Sequence, residues 1–238
     1  MYSINSIPLY ILSFTFLLHS VIGADPLYHI CSSNSVNYTS GSPFDNNLNT
    51  LFNQLSVKVP PTGYGLSSVG SKVGDTVHGL ALCRGDVSNA DCKTCINSAI
   101  KEIENVCPSN KAAIIWYDDC LLKYSDVNFF GTIDTQNKFY LYNTQNVNDT
   151  ASFNLSVKEL LSDLSAIASQ SQRLYAAGEM SLLRGLVQCT RDLSSSQCKK
   201  CLDDAITELP SCCDGKRGGR VVGGSCNFRY ELYPFFSL

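Results

Sequence analysis

The 238 residues carry a formal net charge of −3, with 44% hydrophobic and 16% charged side chains. That balance supports a buried core and excludes a disordered chain. Lys and Arg are scattered, the densest run being Lys216-Arg217-Gly218-Gly219-Arg220, which excludes nucleic acid or an anionic membrane surface as the main partner, since both need a concentrated basic field.

Residues 1–23 hold no Asp, Glu, Lys or Arg, and an apolar run from Ile7 to Leu18 leads to Val21 and Gly23 ahead of Ala24. This reads as a signal peptide over 1–23, cut before Ala24, because about twelve apolar residues are too few to span a bilayer. No later stretch is long and apolar enough to cross a membrane, so no span is expected in the mature chain, and an extracellular location follows. All 12 cysteines lie beyond that cut. An even count in a secreted chain points to disulfides. Sequons at Asn37, Asn148 and Asn154 are candidate glycosylation sites, the last two just before an expected helix.

The chain is a tandem duplication. Cys83, Cys92 and Cys95 form C-x8-C-x2-C, repeated by Cys189, Cys198 and Cys201, and the same offset carries Cys107 to Cys213 and Cys120 to Cys226. Gly79-Leu80-Ala81-Leu82-Cys83 parallels Gly185-Leu186-Val187-Gln188-Cys189. The expected division is 24–135 for the first copy and 136–238 for the second.

Each copy predicts the same element order. In the first, a helix is followed by an apolar strand ending at Cys83. A second helix presents Cys92, Cys95, Ile96, Ala99, Ile100 and Ile103 on one face, and a closing strand carries Cys120. In the second, Phe153, Val157, Leu160, Leu161, Leu164 and Ile167 recur at helical spacing, and a strand ends at Cys189. The next helix opens on a capping box, Ser194 with Gln197, and runs through Cys198, Cys201, Leu202, Ala205, Ile206 and Leu209 until Pro210 stops it. In the closing strand Cys226, Phe228, Tyr230 and Leu232 alternate inward against Asn227, Arg229, Glu231 and Tyr233. Helices packed on one face of an antiparallel sheet, an α+β fold, accommodate this order.

Tyr142 stands where the first copy has Cys31, and the second copy has gained Cys212 beside Cys213. The economical reading pairs Cys31 with Cys107 and leaves Cys213 to bond its neighbour Cys212. A thioredoxin-like role for C-x2-C needs exposed cysteines, and these fall on a buried helix face. A zinc site lacks any His in the cluster, so neither metal nor cofactor is expected.

The two C-x8-C-x2-C units, Cys212-Cys213-Asp214-Gly215-Lys216-x-Gly218-Gly219-Arg220 and Ser225-Cys226-Asn227-x-Arg229-Tyr230-Glu231-x-Tyr233-Pro234-Phe235 resemble the plant cysteine-rich repeat secretory proteins, built from tandem ginkbilobin-like domains. The resemblance covers nearly all of the mature chain. It implies an α+β fold of two tandem domains, each two helices packed on a five-stranded antiparallel sheet. It also implies the disulfides Cys31–Cys107, Cys83–Cys92, Cys95–Cys120, Cys189–Cys198 and Cys201–Cys226. Membrane-anchored relatives with the same ectodomain continue into a membrane helix, so a chain that stops at Leu238 reads as an apoplastic member.

The ginkbilobin-type antifungal lectin places an Asn, an Arg and a Glu around mannose. The matching positions here are Asn143, Arg220 and Glu231 in the second copy, and Ser32, Ile114 and Ser125 in the first, where no type agrees. An amide, a guanidinium and a carboxylate suit the hydroxyls of a hexose. Against this stands a plain surface ion pair of Arg220 with Glu231, which would also face opposite ways in an unbroken strand unless Gly223-Gly224 makes a bulge.

Enzyme readings find little. His29 and His78 sit in no nucleophile motif, Gly224-Ser225-Cys226 lacks the G-x-S-x-G context, and Asp118-Asp119 reads as a solvated turn or strand end. Trp116, Tyr117 and Tyr124 read as packing residues. Two non-enzymatic readings stand: a defence protein that binds mannose-type glycans, and a module that binds an extracellular protein.

Overall fold

The computed structural model describes residues 25–32 and 37–236, so the expected signal peptide lies outside the described residues. In chain order the first half runs β1 (Tyr28–Cys31), α1 (Pro43–Lys58), β2 (Tyr64–Val69), β3 (Val77–Cys83), α2 (Asn89–Val106), β4 (Ala113–Trp116) and β5 (Cys120–Ser125). The second half repeats it as β6 (Lys138–Tyr142), α3 (Thr150–Gln170), β7 (Tyr175–Met180), β8 (Leu183–Cys189), α4 (Ser195–Ile206), α5 (Leu209–Cys212), β9 (Gly218–Gly223) and β10 (Cys226–Glu231).

Each helix start has a local cause. Ser42, Ser88 and Asp149 each accept a hydrogen bond from the backbone N–H three residues on, and Pro43 supplies the first-turn geometry of α1. The expected capping box of Ser194 with Gln197 forms at α4. Two details differ from the sequence reading. Pro210 does not stop α4, which ends at Ile206; the proline instead sits in the first turn of α5, where its missing N–H costs nothing. Ile167 is 59% exposed, because the buried stripe of α3 runs on through Leu164, Ser165 and Ala168 into the last turn and leaves Ile167 to one side.

The sheets have the same order, β1-β4-β5-β3-β2 and β6-β9-β10-β8-β7, with every recorded pairing antiparallel. Sequence pattern alone lacked the edge strands β1, β2, β6 and β7 and the inner β4 and β9. Helices cover one face of each sheet. Leu48, Leu51, Phe52 and Leu55 of α1 meet Ile96 and Ile103 of α2 in one core, while Leu160, Leu161 and Leu164 of α3 meet Leu202 of α4 in the other.

Six disulfides hold this arrangement. Cys83 and Cys120 face each other across β3 and β5, and each is bonded to α2, through Cys92 and Cys95 respectively. Cys189–Cys198 and Cys201–Cys226 repeat this in the second half. Cys31–Cys107 closes the first half, and in the second Cys212 is bonded to Cys213. The register explains the exchange. Cys31 pairs with Ala113, and Tyr142 pairs with Gly219 at the corresponding place. A Cβ on Gly219 would stand 2.7 Å from Cys213 Sγ, so the side-chain-free residue accommodates the relocated sulfur.

The sheet faces turned away from the helices meet between the halves. Leu80, Leu82, Ile114, Trp116 and Leu121 of the first half bury against Val222 and Phe139 of the second. Trp116 stands edge-on to Phe139 at 5.3 Å and donates its indole N–H to the Gly223 carbonyl at 3.1 Å. Gln188 donates to the Cys83 carbonyl across the same junction. Trp116 is thus a packing residue between halves, and Tyr117 and Tyr124 lie in the first core.

Candidate functional site

β9 and β10 form a hairpin, not one unbroken strand, and this corrects the expectation that Arg220 and Glu231 face opposite ways. Arg220 sits directly opposite Arg229, and Glu231 opposite Gly218. Residues paired across strands share a face, as do residues two apart along one strand, so Arg220, Arg229 and Glu231 point the same way. On the other side of β9, Leu141 pairs with Arg220, and the Asn143 N–H donates to the Gly218 carbonyl at 2.8 Å. Asn143, Gly218 and Glu231 therefore make one rung across three strands, and Leu141, Arg220 and Arg229 make the next but one, on the same face.

The expected trio lines one cleft of about 310 Å³ together with Asp118, Arg229, Tyr142 and Tyr233. Arg220 and Glu231 are only 8% and 9% exposed, so they are not the surface ion pair that the sequence allowed. Glu231 is paired with Arg229, whose Nε lies 3.2 Å from Oε1. Arg220 is paired with Asp118 of the first half, Nη1 to Oδ1 at 2.6 Å.

Asp118 is the site residue whose partners the sequence reading missed. It lies in the turn between β4 and β5, but its carboxylate receives Arg220 and also Arg229 Nη1 at 3.2 Å. Burial alone would raise its pKa; Arg220, Arg229 and Arg84 outweigh that and hold it below the usual carboxylate range. For Arg220, burial is the largest influence and lowers the pKa, with Asp118 acting against it. Asp119 beside it is exposed to nearly the same degree and lies 3.2 Å from Arg84. The signal for Arg229 and Tyr233 was present in the sequence, because both share the outward stripe of the expected closing strand with Glu231, although β10 itself ends at Glu231.

Two polar atoms in the cleft have no hydrogen-bond partner among the described residues, Arg220 Nε and Glu231 Oε2. A buried donor and a buried acceptor left open are costly unless water or a ligand meets them. Gly218 is part of the design: a Cβ there would collide with the Glu231 carboxylate, which lies over the bare backbone. The first half has Ser125 at the Glu position and tolerates Ala112 at the Gly position. Exposed Tyr142 and Tyr233 flank the opening, with Lys216 over the Tyr142 ring and Arg229 near the Tyr233 ring.

The first half's equivalent cleft, about 380 Å³, holds Ser32, Ile114 and Ser125 beside Phe129 and Asn137. Ile114 belongs to the apolar junction, so no charged trio forms there.

Of the sequons, Asn37 and Asn148 are exposed. Asn154 lies within α3 instead of ahead of it, where its amide donates to Asp214 at 2.6 Å and accepts from the Gly215 N–H. Among the described residues no cluster of His, Cys, Asp and Glu could hold a metal ion, and no helix is long and apolar enough to cross a membrane.

Comparison with known proteins places these features in context. The salt stress response/antifungal family matches residues 30–127 and again 141–233. The chain is 60% identical to the antimicrobial ginkbilobin-2-like protein of Castanea crenata, over 92% of each chain. It is 56% identical to cysteine-rich repeat secretory protein 38 of Arabidopsis thaliana, covering 88% of this chain and 85% of the relative. Among solved structures, the tandem DUF26 ectodomain of the Arabidopsis cysteine-rich receptor-like protein PDLP8 superposes with a TM-score of 0.79. The two are 28% identical, over 87% of this chain and 97% of that one.

Proposed function

The chain belongs to the salt stress response/antifungal family of tandem cysteine-rich repeat secretory proteins, a non-enzymatic family, and from that premise we propose that it is an extracellular antimicrobial protein that binds a mannose-type glycan in the second-half cleft. The observation that carries this reading is the convergence of Asn143, Arg220 and Glu231 on one cleft, with Arg220 Nε and Glu231 Oε2 left without partners. A hexose has hydroxyls that both donate and accept, so one ring could meet the open N–H and the open carboxylate oxygen together. Tyr142 and Tyr233 offer rings at the rim for the apolar face of a sugar. The antimicrobial name of the Castanea relative agrees with a ligand on a microbial wall.

Calorimetric titration of the mature protein with mannose and a mannan oligosaccharide tests the proposal. The expected result is one site per chain, filled at millimolar or lower concentration. Absence of heat at millimolar sugar sinks it.

A second reading rests on a different observation. Arg220 Nη1 is already taken by Asp118, so the charges can act as a staple between halves. In that reading the cleft region is part of a rigid surface that binds another extracellular protein, and mannose gives no heat.

A further inference from the structure

We propose that the groove between α3 and the corner formed by α4 and α5 is a binding site for a small aromatic carboxylic acid. The groove measures about 610 Å³, within the range of small-molecule sites. Its walls include Leu155 and Val157 from α3 and Ile206 and Leu209 from α4 and α5, with Tyr230 and Cys213 beneath. Leu155 is 69% exposed, an apolar side chain at the rim with nothing over it among the described residues.

The duplication indicates what fits. In the first half the corresponding region holds Tyr38, which packs against the core with its ring 5.2 Å from that of Phe44, where the second half has Val147 at the matching position. Burial, then Asp45 and Glu104, push the Tyr38 hydroxyl upward, so both acids are within electrostatic reach of it; Tyr124 in turn feels Tyr38. Asp45, Glu104 and Tyr124 correspond to Asn154, Pro210 and Tyr230, and all three of these line the groove. The second half's matching loop, 143–149, reads Asn-Thr-Gln-Asn-Val-Asn-Asp and supplies no ring. The second half therefore keeps open a space whose counterpart holds a phenol.

Charge selects the rest of the ligand. The two acids beside Tyr38 have become Asn154 and Pro210, and Asn49 has become Lys158 at the rim. Lys158 makes no ion pair among the described residues, whereas neighbouring Lys199 is held by Asp203 at 2.5 Å. An apolar slot of ring width beside a free ammonium is complementary to an aromatic ring bearing a carboxylate.

The test is calorimetric titration of the mature chain with 4-hydroxycinnamate, alongside Leu155→Trp and Lys158→Met. Both side chains are exposed, so melting temperatures should stay close to the parent's. One site per chain is expected. Leu155→Trp, which puts a ring into the groove as Tyr38 does in the first half, should weaken binding by about tenfold or more. Lys158→Met should weaken it about two- to fivefold, and this difference should vanish at high salt. Hexanoate, with the charge but no ring, should bind far more weakly. No heat at millimolar 4-hydroxycinnamate overturns the proposal, as does an affinity unchanged by Leu155→Trp. Equal affinity for hexanoate also overturns it and assigns the groove to an acyl chain. A dimer in solution that Leu155→Trp dissociates overturns it in favour of a second copy of this chain.

Discussion

The Asp118 carboxylate of the first half stands 2.6 Å from the Arg220 guanidinium of the second. One arginine therefore serves two candidate purposes, closing the junction between halves and lining the cleft. Substituting it disturbs both, and the useful experiments are those that separate them.

Asp118→Asn isolates the staple. The Asp118 carboxyl, despite burial that would raise it, is held below its usual range by Arg220, Arg229 and Arg84. A carboxyl depressed in the folded state stabilises above its unfolded pKa, about 3.9, and that contribution is lost as pH falls through the lower folded value. The variant should therefore lose about 1–3 kcal/mol near neutral pH, less than full burial would give, because the Asp118 side chain is 46% exposed. Its stability should also fall less steeply than the parent's below about pH 4. Thermal melts of both proteins across that pH range decide it, and superimposable curves would dismiss the staple.

Asn143→Ala isolates the sugar site. Asn143 is half-buried, and among the described residues its side chain accepts only from the Gln145 N–H, closing a turn. The variant should fold with nearly parental stability and weaken mannose binding by about two- to tenfold, the worth of one hydrogen bond. Arg220→Ala should lower both stability and binding, since it removes a buried partner of Asp118. Equal mannose affinity in parent and Asn143→Ala would remove Asn143 from the site.

What the sequence disclosed and what it hid have physical reasons. Cysteine offsets and apolar periodicity exposed the duplication, the four long helices and the strands ending at Cys83 and Cys189, since these are local or repeated signals. The edge strand β6 stayed hidden because Lys138–Tyr142 has no buried residue to mark its pairing. Family resemblance named Asn143, Arg220 and Glu231, but their common orientation needed the β9–β10 register. Asp118 was missed because Arg220 and Arg229, its nearest partners, come from the other half, and a contact between positions so far apart leaves no mark in local pattern.

Ile114→Ala probes the junction without touching the cleft's charges. Ile114 is 3% exposed among Trp116, Leu82 and Val222. Truncation should cost about 2–5 kcal/mol through lost burial and a residual cavity. Mannose affinity at a temperature where the variant remains folded should match the parent's. Denaturant titration measures the first quantity and calorimetry the second; a loss under about 0.5 kcal/mol would mean that the two sheets do not pack there as described.

The two relocated cysteines give the last prediction. Cys31–Cys107 spans 76 residues, while Cys212–Cys213 spans 1. In the chain-entropy account a crosslink stabilises by restricting the unfolded chain, and the restriction grows with the loop it closes. Replacing Cys31 and Cys107 by serine should therefore cost about 4–5 kcal/mol, and replacing Cys212 and Cys213 only about 1 kcal/mol. Reactivity should run the opposite way, since a bridge between adjacent residues sits in a small ring that is reduced more readily than one joining distant positions. Limited treatment with a dithiol, then alkylation and peptide mapping, should label Cys212 and Cys213 first. Labelling that begins at Cys31 and Cys107 would reverse the order. The Cys212–Cys213 ring would then be a tightly held part of the fold, maintained by the packing of Cys213 against Gly219 and Tyr230 and not by its own closure.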